Sequence, residues 1–266
     1  MDNAHSLSTP MVVCPLDTNK DPFRPKEDDE MILGLEVPYL SAITALLYLA
    51  KCTRPDIAFL VNLLARYSST PTCRHWNGIK HILRYLRGTT DMGLFYLNEP
   101  SNSPNLVGYA DSGYLSDPHK GRSQTAKRKT QNAYINSYVF TCGNTTISWR
   151  STKQTLVATS SNHAEILALH EASRECVWLR SLVHHIRKTC DLSSTTKAPI
   201  IMYEDNAACI AQIKEGFIKG DRTKHIPPKF FYPHELQKNQ EIEVKKIRSQ
   251  DNLADLFTKA LLKSIF

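Results

Sequence analysis

The chain has 266 residues, 41% of them hydrophobic and 22% charged, with a mean hydropathy of −0.35. That is room for one large domain or two modest ones, and it excludes a wholly disordered chain. Thirty-three basic residues against 26 acidic ones give a net charge of +7. The densest apolar stretch, Ile43 to Ala50, is far too short to span a bilayer, so no membrane partner is expected.

The positive excess is not spread evenly. Residues 1–100 hold ten basic and eleven acidic residues, whereas residues 101–266 hold 23 and 15. A basic surface attracts polyanions, chiefly nucleic acid. Many basic proteins bind none, so charge alone does not decide. The start, Met1 to Lys20, is polar and lacks a basic segment followed by an apolar block, so no signal peptide is expected. Seven cysteines without a C-x-x-C pair argue for reduced thiols inside a cell, with cytoplasm and nucleus both open.

Residues 1–35 are rich in Pro, Asp, Glu and Lys and read as an extended lead-in. Three short helices are predicted next, over Ser41–Cys52, Arg54–Ser69 and Arg74–Thr89, with Ser41 and Pro55 at the first two starts. A strand is predicted at "MGLFYL", residues 92–97. This module, residues 36–103, holds no cluster of acids or metal ligands and reads as a packing or positioning unit. The rest, residues 104–266, opens with the strand "LVGYADSG" and a hairpin, "SYVFTCGNTTISWRST", turning at Gly143 and Asn144. A long helix follows, capped by Ser160 or Ser161, with Ala164, Ala168, Ala172, Leu179, Leu182 and Ile186 as its apolar stripe. "APIIMYEDN" reads as a buried strand, "NAACIAQIKEG" as a helix, "EIEVKKIRS" as a strand and "DNLADLFTKALL" as a closing helix. Pro227 and Pro228 are compatible with a new helix starting after them. The order predicts an α/β fold, a mixed sheet flanked by helices, preceded by a small mainly helical module.

Four acids stand out. Asp111 ends the first strand of the second part, Glu165 lies near the start of the long helix, Asp205 ends the buried strand, and Asp255 lies in the closing helix. Ligand sites in open sheets gather at the carboxyl ends of strands, and Asp111 and Asp205 meet there if their strands are adjacent and parallel. Carboxylates that close repel unless a cation neutralises them. An oxygen-only donor set suits Mg²⁺ or Mn²⁺, and two such ions about 4 Å apart support phosphodiester cleavage. On the residues alone the plainer alternative stands beside this: solvated acids at element ends.

The runs "LVGYADSGYLSDPHKGRSQT", "ISWRSTKQTLVATSSNHAEILAL", "ECVWL", "YEDNAACI", "DRTKHI" and "NLADLFTKAL" resemble the ribonuclease H segment at the end of copia-type LTR retrotransposon polyproteins. The upstream run from "VPYLSAITALLYLAKCTRPDIAF" to "HWNGIKHILRYLRGT" resembles the segment that joins it to the reverse transcriptase. The resemblance implies a ribonuclease H-like fold. It places Asp111, Glu165, Asp205 and Asp255 on the family's metal-binding, catalytic carboxylates, with two Mg²⁺ or Mn²⁺ ions. The implied reaction is endonucleolytic cleavage of the RNA strand of an RNA–DNA hybrid, leaving a 3′-hydroxyl and a 5′-phosphate. The implied partners are the hybrid and the upstream reverse transcriptase domain. Hybrids are recognised by shape and 2′-hydroxyls. Candidate phosphate contacts are Arg122, Arg150, Lys153, Arg222 and Lys224, with Ser160 and Asn206 as candidate hydrogen-bonding residues near the metals or substrate. His163 and His225 invite a general acid/base role. Two-metal cleavage proceeds without one, and His225 reads instead as orienting substrate or capping an element.

The sequence also departs from the family. No paired-aspartate polymerase motif precedes residue 100, so no polymerase activity is expected. "AKRKTQNAYINS", Ala126 to Ser137, reads as an insertion between the first two strands, tolerable as a longer hairpin loop. The chain stops at Phe266, which is expected to leave the helix carrying Asp255 short of anchoring contacts. The alternative function is a catalytically inactive retroelement remnant that folds and binds nucleic acid through its basic half.

Overall fold

Prolines set where the first helices begin. Helix α1, Tyr39–Cys52, follows Pro38, and Pro55 opens a 3-10 turn, Pro55–Ile57, that runs into α2, Ala58–Ala65. Proline suits a first turn because the amide it lacks has no partner there. Helix α3, Cys73–Gly88, starts on a capping box, in which the Thr72 N–H donates to His75 Nδ1 at 3.1 Å and the Thr72 side chain accepts in return. The computed structural model describes residues 5–10, 26, 30–96, 106–113, 135–156, 158, 160–191, 198–216 and 226–258. The described residues up to Leu94 form one compact unit, and those from Phe95 to Thr258 form a second.

In the first unit, Ile43 and Leu46 of α1, Leu60 and Leu64 of α2, and Ile79 and Ile82 of α3 are buried. Arg54 is buried too. Its guanidinium donates to Asp56 at 3.0 and 2.7 Å and to the Thr89 carbonyl at 3.0 Å, and the Tyr85 hydroxyl donates to Asp56 at 2.7 Å. A charge pair this fully hydrogen-bonded ties the corner before α2 to the end of α3. Two expectations need correcting. Helix α1 starts at Tyr39, and Ser41 does not cap it. No strand forms over Met92–Tyr96: Phe95 and Tyr96 are exposed, and among the described residues no strand pairs with them. In the lead-in, the Leu7 N–H donates to the Arg84 carbonyl, and Ile32 makes an isolated bridge to Thr72.

The second unit is built on five strands: β1, Leu106–Gly113; β2, Ile135–Cys142; β3, Thr145–Lys153; β4, Ile200–Glu204; and β5, Ile242–Lys246. They lie in the order β3-β2-β1-β4-β5. The pairs β1/β2 and β2/β3 are antiparallel, and β1/β4 and β4/β5 are parallel. The hairpin between β2 and β3 turns on Gly143 and Asn144, both with positive φ (58° and 63°), the backbone that a two-residue turn of this hand requires. Of the segment Ala126–Ser137, only Ile135–Ser137 lies within the described residues. It forms the start of β2, opposite Gly113, Ser112 and Asp111.

Helix α4, Ser161–Thr189, packs on this sheet. Ala164, Ala172 and Leu179 are buried in one core with Ala110, Phe140 and Met202, and Ala168 is buried as well. Leu182 and Ile186 are not; they stand 38% and 48% exposed. A 29-residue helix is about 43 Å long. Strands of 5 to 9 residues reach only about 17 to 30 Å, so the last turns of α4 overrun the sheet. Helix α5, Ala207–Glu215, follows β4, and Pro228 opens the turn leading to α6, Tyr232–Lys238. The expected closing helix consists, as far as Thr258, of two 3-10 turns, Ser249–Asp251 and Leu253–Phe257. The result is an α/β fold of ribonuclease H-like type, a mixed sheet flanked by helices. No helix of the described residues is long and apolar enough to cross a membrane.

Gly108 is a point of close packing in the core. A Cβ there would meet the Met202 sulfur and come within 2.6 Å of the Phe140 ring. Gly108→Ala is therefore expected to cost about 1–3 kcal/mol, read as a lower urea midpoint for the second unit. An unchanged midpoint would mean that this core is looser than described.

Candidate active site

Register brings the first two acids together. β1 and β4 run parallel with Val107 opposite Ile201, Gly108 opposite Met202 and Tyr109 opposite Tyr203. Continued beyond Tyr109, the same offset sets Asp111 beside Asp205, both at the carboxyl ends of their strands. Ser160 supplies the third acid indirectly. Its hydroxyl accepts the His163 N–H at 3.1 Å and starts α4, which places Glu165 just inside the helix. Carboxylate oxygens of Asp111, Glu165 and Asp205 all lie within 4.8 Å of one another. Asp111 and Glu165 are buried, and Asp205 is partly exposed.

At that separation each ionised pair repels by about 3–4 kcal/mol at an effective dielectric near 20. Three such pairs are too costly to leave uncompensated. The structure answers by pushing protons on. The Glu165 carboxyl is raised to about 11, first by burial and then by Glu204, Asp111 and Asp205, and the Ser112 backbone N–H opposes the rise. Glu204 is a further acid that pattern reading passed over. It is fully buried at the end of β4, one Oε accepts the Asn206 N–H at 3.1 Å, and burial raises its carboxyl well above the usual range. A signal for it exists: Ile200, Met202 and Glu204 alternate on the buried face of β4.

The donor set fits a divalent cation. It is oxygen only, it converges from three elements, and Glu165 Oε2 is buried with no hydrogen-bond partner among the described residues. Asp255 stands outside this group of three. It is buried in the 3-10 turn Leu253–Phe257, and Ser249 Oγ donates to it at 3.4 Å. That turn is firmly docked. Ser137 donates to the Ala254 carbonyl at 3.0 Å, Ser151 to the Phe257 carbonyl at 2.6 Å, and Asn252 to the Ala110 carbonyl at 2.9 Å. The Thr258 hydroxyl, in the same segment, donates directly to Asp111 Oδ2. Residues up to Thr258 thus hold Asp255 against the sheet, contrary to the expectation that this segment lacks anchoring contacts.

The other candidates fall in two groups. Ser160 and Asn206 are helix caps; Asn206 Oδ1 accepts the Ala208 and Cys209 N–H groups at 2.9 and 3.1 Å. Arg150 and Lys153 are exposed on β3, and Arg150 lies 3.6 Å from Glu171. Arg122, Arg222, Lys224 and His225 lie outside the described residues.

Comparison with known proteins places this arrangement. The chain is 32% identical over its whole length to the retrovirus-related Pol polyprotein of transposon TNT 1-94 from Nicotiana tabacum, and spans 18% of that protein. It is 31% identical over 86% of its length to the Pol polyprotein of transposon RE2 from Arabidopsis thaliana, spanning 14% of it. Its homologues are thus retrovirus-related Pol polyproteins of copia-type transposons. It also matches secreted RxLR effector protein 161 of Plasmopara viticola, at 40% identity over 54% of this chain and 92% of that protein. No family model matches it. Among solved structures, the N-terminal ribonuclease H domain of a Mycobacterium tuberculosis protein covers 59% of this chain, and the chain covers 91% of it, at 14% identity and a TM-score of 0.38. LC11 ribonuclease H1 in complex with RNA/DNA hybrid covers 57% of this chain, which covers 93% of it, at 16% identity and a TM-score of 0.37. It is the sheet order, not these scores, that sets the fold.

In this chain the acids should cost stability when no cation is bound. The Glu165 carboxyl is raised above its unfolded value, so its favourable contribution is complete below about pH 4.3 and is lost as pH rises toward about 11. Glu165→Gln is expected to melt higher than the parent at pH 8 in chelator, by about 2–4 °C per kcal/mol regained, and to show a flatter pH slope between pH 7 and 9. A variant that melts lower there, with an unchanged slope, would contradict the repulsion described.

Proposed function

We propose that the unit from Phe95 to Thr258 is a ribonuclease H that cuts the RNA strand of RNA–DNA hybrids endonucleolytically. Asp111, Glu165, Asp205 and Asp255 would hold two Mg²⁺ or Mn²⁺ ions. When bound, these ions supply an activated water and charge stabilisation for the leaving oxygen. The observation that carries the reading is the convergence of Asp111, Glu165 and Asp205 at the carboxyl end of the parallel β1/β4 pair. Likeness to Pol polyproteins supports the same chemistry.

The protein's own groups have distinct tasks in this reading. Asp205 is partly exposed, so a phosphodiester can approach the group from its side, while Asp111 lies buried beside it. Glu165 and Glu204 are buried and hold their protons when no cation is bound, and Glu165 would ionise on taking one. Phosphates of the hybrid are drawn by the basic second part of the chain, with Arg150 and Lys153 on β3 and Arg122, Arg222 and Lys224 as contacts. His225 orients the substrate, and Ser160 and Asn206 fix the two helix starts that border the acids. No side chain is assigned as a general base. The partner in the family context is the upstream reverse transcriptase domain.

The test is cleavage of an end-labelled hybrid by the full chain with Mg²⁺ or Mn²⁺, with chelator, and with Asp205→Asn. The expected result is metal-dependent cutting of the RNA strand that falls at least about 100-fold in the variant, the scale of losing one electrostatic stabiliser. A chain that melts cooperatively yet cuts nothing would overturn the enzyme reading in favour of an inactive remnant.

A further inference from the structure

Gln154 follows directly on β3 and is 6% exposed. Its Nε2 faces three acceptors: the Ala164 carbonyl at 3.0 Å, Ser112 Oγ at 3.5 Å and Asn136 Oδ1. These partners are not scattered. Ala164 immediately precedes Glu165, and Ser112 immediately follows Asp111. Asn136 is the cross-strand partner of Ser112 in β1/β2. One buried carboxamide therefore touches the chain neighbours of both acids, across the join between the first turn of α4 and the end of β1. The Ser112 N–H also hydrogen-bonds the Glu165 carboxylate, so a shift of either element is felt at that carboxylate.

The first turn of α4 is also held by its Ser160 cap, which fixes where the helix starts, and by Asn162, whose Nδ2 donates to Gln212 Oε1 of α5; neither touches the strand end that carries Asp111. A carboxylate pair must be held to within about half an ångström to bind an ion well, and groups behind the ligands supply that precision.

We infer that Gln154 is a positioning residue: its carboxamide locks the helix turn that carries Glu165 to the strand end that carries Asp111, and so sets the spacing of the two carboxylates. The metal-binding consequence rests on the reading of those acids as ligands; the locking itself does not.

Two readouts on the full chain test it. The variants are Gln154→Leu, which keeps the bulk and removes the donor, and Leu236→Ala, a core control in α6. Amide exchange in chelator, followed by mass spectrometry, is expected to run at least tenfold faster over the first turns of α4 in Gln154→Leu, and not in the control. Mn²⁺ titration by calorimetry is expected to give a Kd raised about 10- to 100-fold by Gln154→Leu and less than twofold by the control. If Gln154→Leu does not fold, Gln154→Asn draws the amide back by one carbon and carries the same expectation. Exchange and Kd no different from the control would overturn the inference. Faster exchange at α4, with Mn²⁺ bound equally well by the parent and Asp205→Asn, would leave the lock standing and remove the ligand reading instead.

Discussion

Four carboxyl groups crowd the carboxyl end of one parallel strand pair, and that crowding is the constraint on which the rest of the second unit depends. Asp111, Glu165 and Asp205 bring oxygens within 4.8 Å of one another, with Glu204 fully buried behind them. Left to themselves, such groups would take up protons or push apart. A fold that keeps them together spends stability on doing so, and that strain makes sense only where a cation or a substrate can relieve it. The thiol of Cys209 feels the same field: buried beside the acids, it is raised well above its usual range, chiefly by burial and then by Glu204, Glu165 and Asp205.

The scaffold resists the repulsion from three sides. From below, the β1/β4 ladder fixes Asp111 and Asp205 through backbone hydrogen bonds that no side-chain charge can easily break. On one flank, α4 is anchored by alanines and by Ile166 and Leu169 packed against the sheet, so Glu165 cannot withdraw without opening the core. On the other, the 3-10 turn with Asp255 is stapled by Ser137, Ser151 and Asn252, and Thr258 closes onto Asp111 itself. Ser137, Ser151, Asn252 and Thr258, which hold this turn and Asp111, are all buried. Substitutions at Ser137 or Asn252 would therefore act on the site through the backbone.

Much of this was legible in the sequence, and for physical reasons. The hairpin turn announces itself as Gly143-Asn144, residues that tolerate positive φ. Helix α4 announces itself by its Ser160 cap and alanine stripe, and β4 by a continuous apolar run. The likeness of the motifs to copia-type polyproteins then picked out the acids, which spacing alone could not do. What stayed hidden depends on distance along the chain. The Ser137–Ala254 and Thr258–Asp111 bonds join residues 117 and 147 positions apart, and no local pattern reports such pairs. Met92–Leu97 looks like a strand because it is apolar, yet over Met92–Tyr96 no strand pairs with it among the described residues, and an apolar run without a paired neighbour does not form one. Leu182 and Ile186 continue the stripe of α4 in sequence but lie where the helix has outrun the sheet.

The chain spans less than a fifth of the Pol polyproteins that it matches, so its chemistry must be established on the chain itself. The most direct measurement is anomalous diffraction from a crystal soaked in Mn²⁺, since it locates the ion without reference to activity. The predicted result is a strong peak between the carboxylates of Asp111, Glu165 and Asp205, absent from Asp205→Asn. A difference map without density at that point, or with Mn²⁺ only at surface acids, would contradict the claim that these carboxylates are gathered to hold a cation.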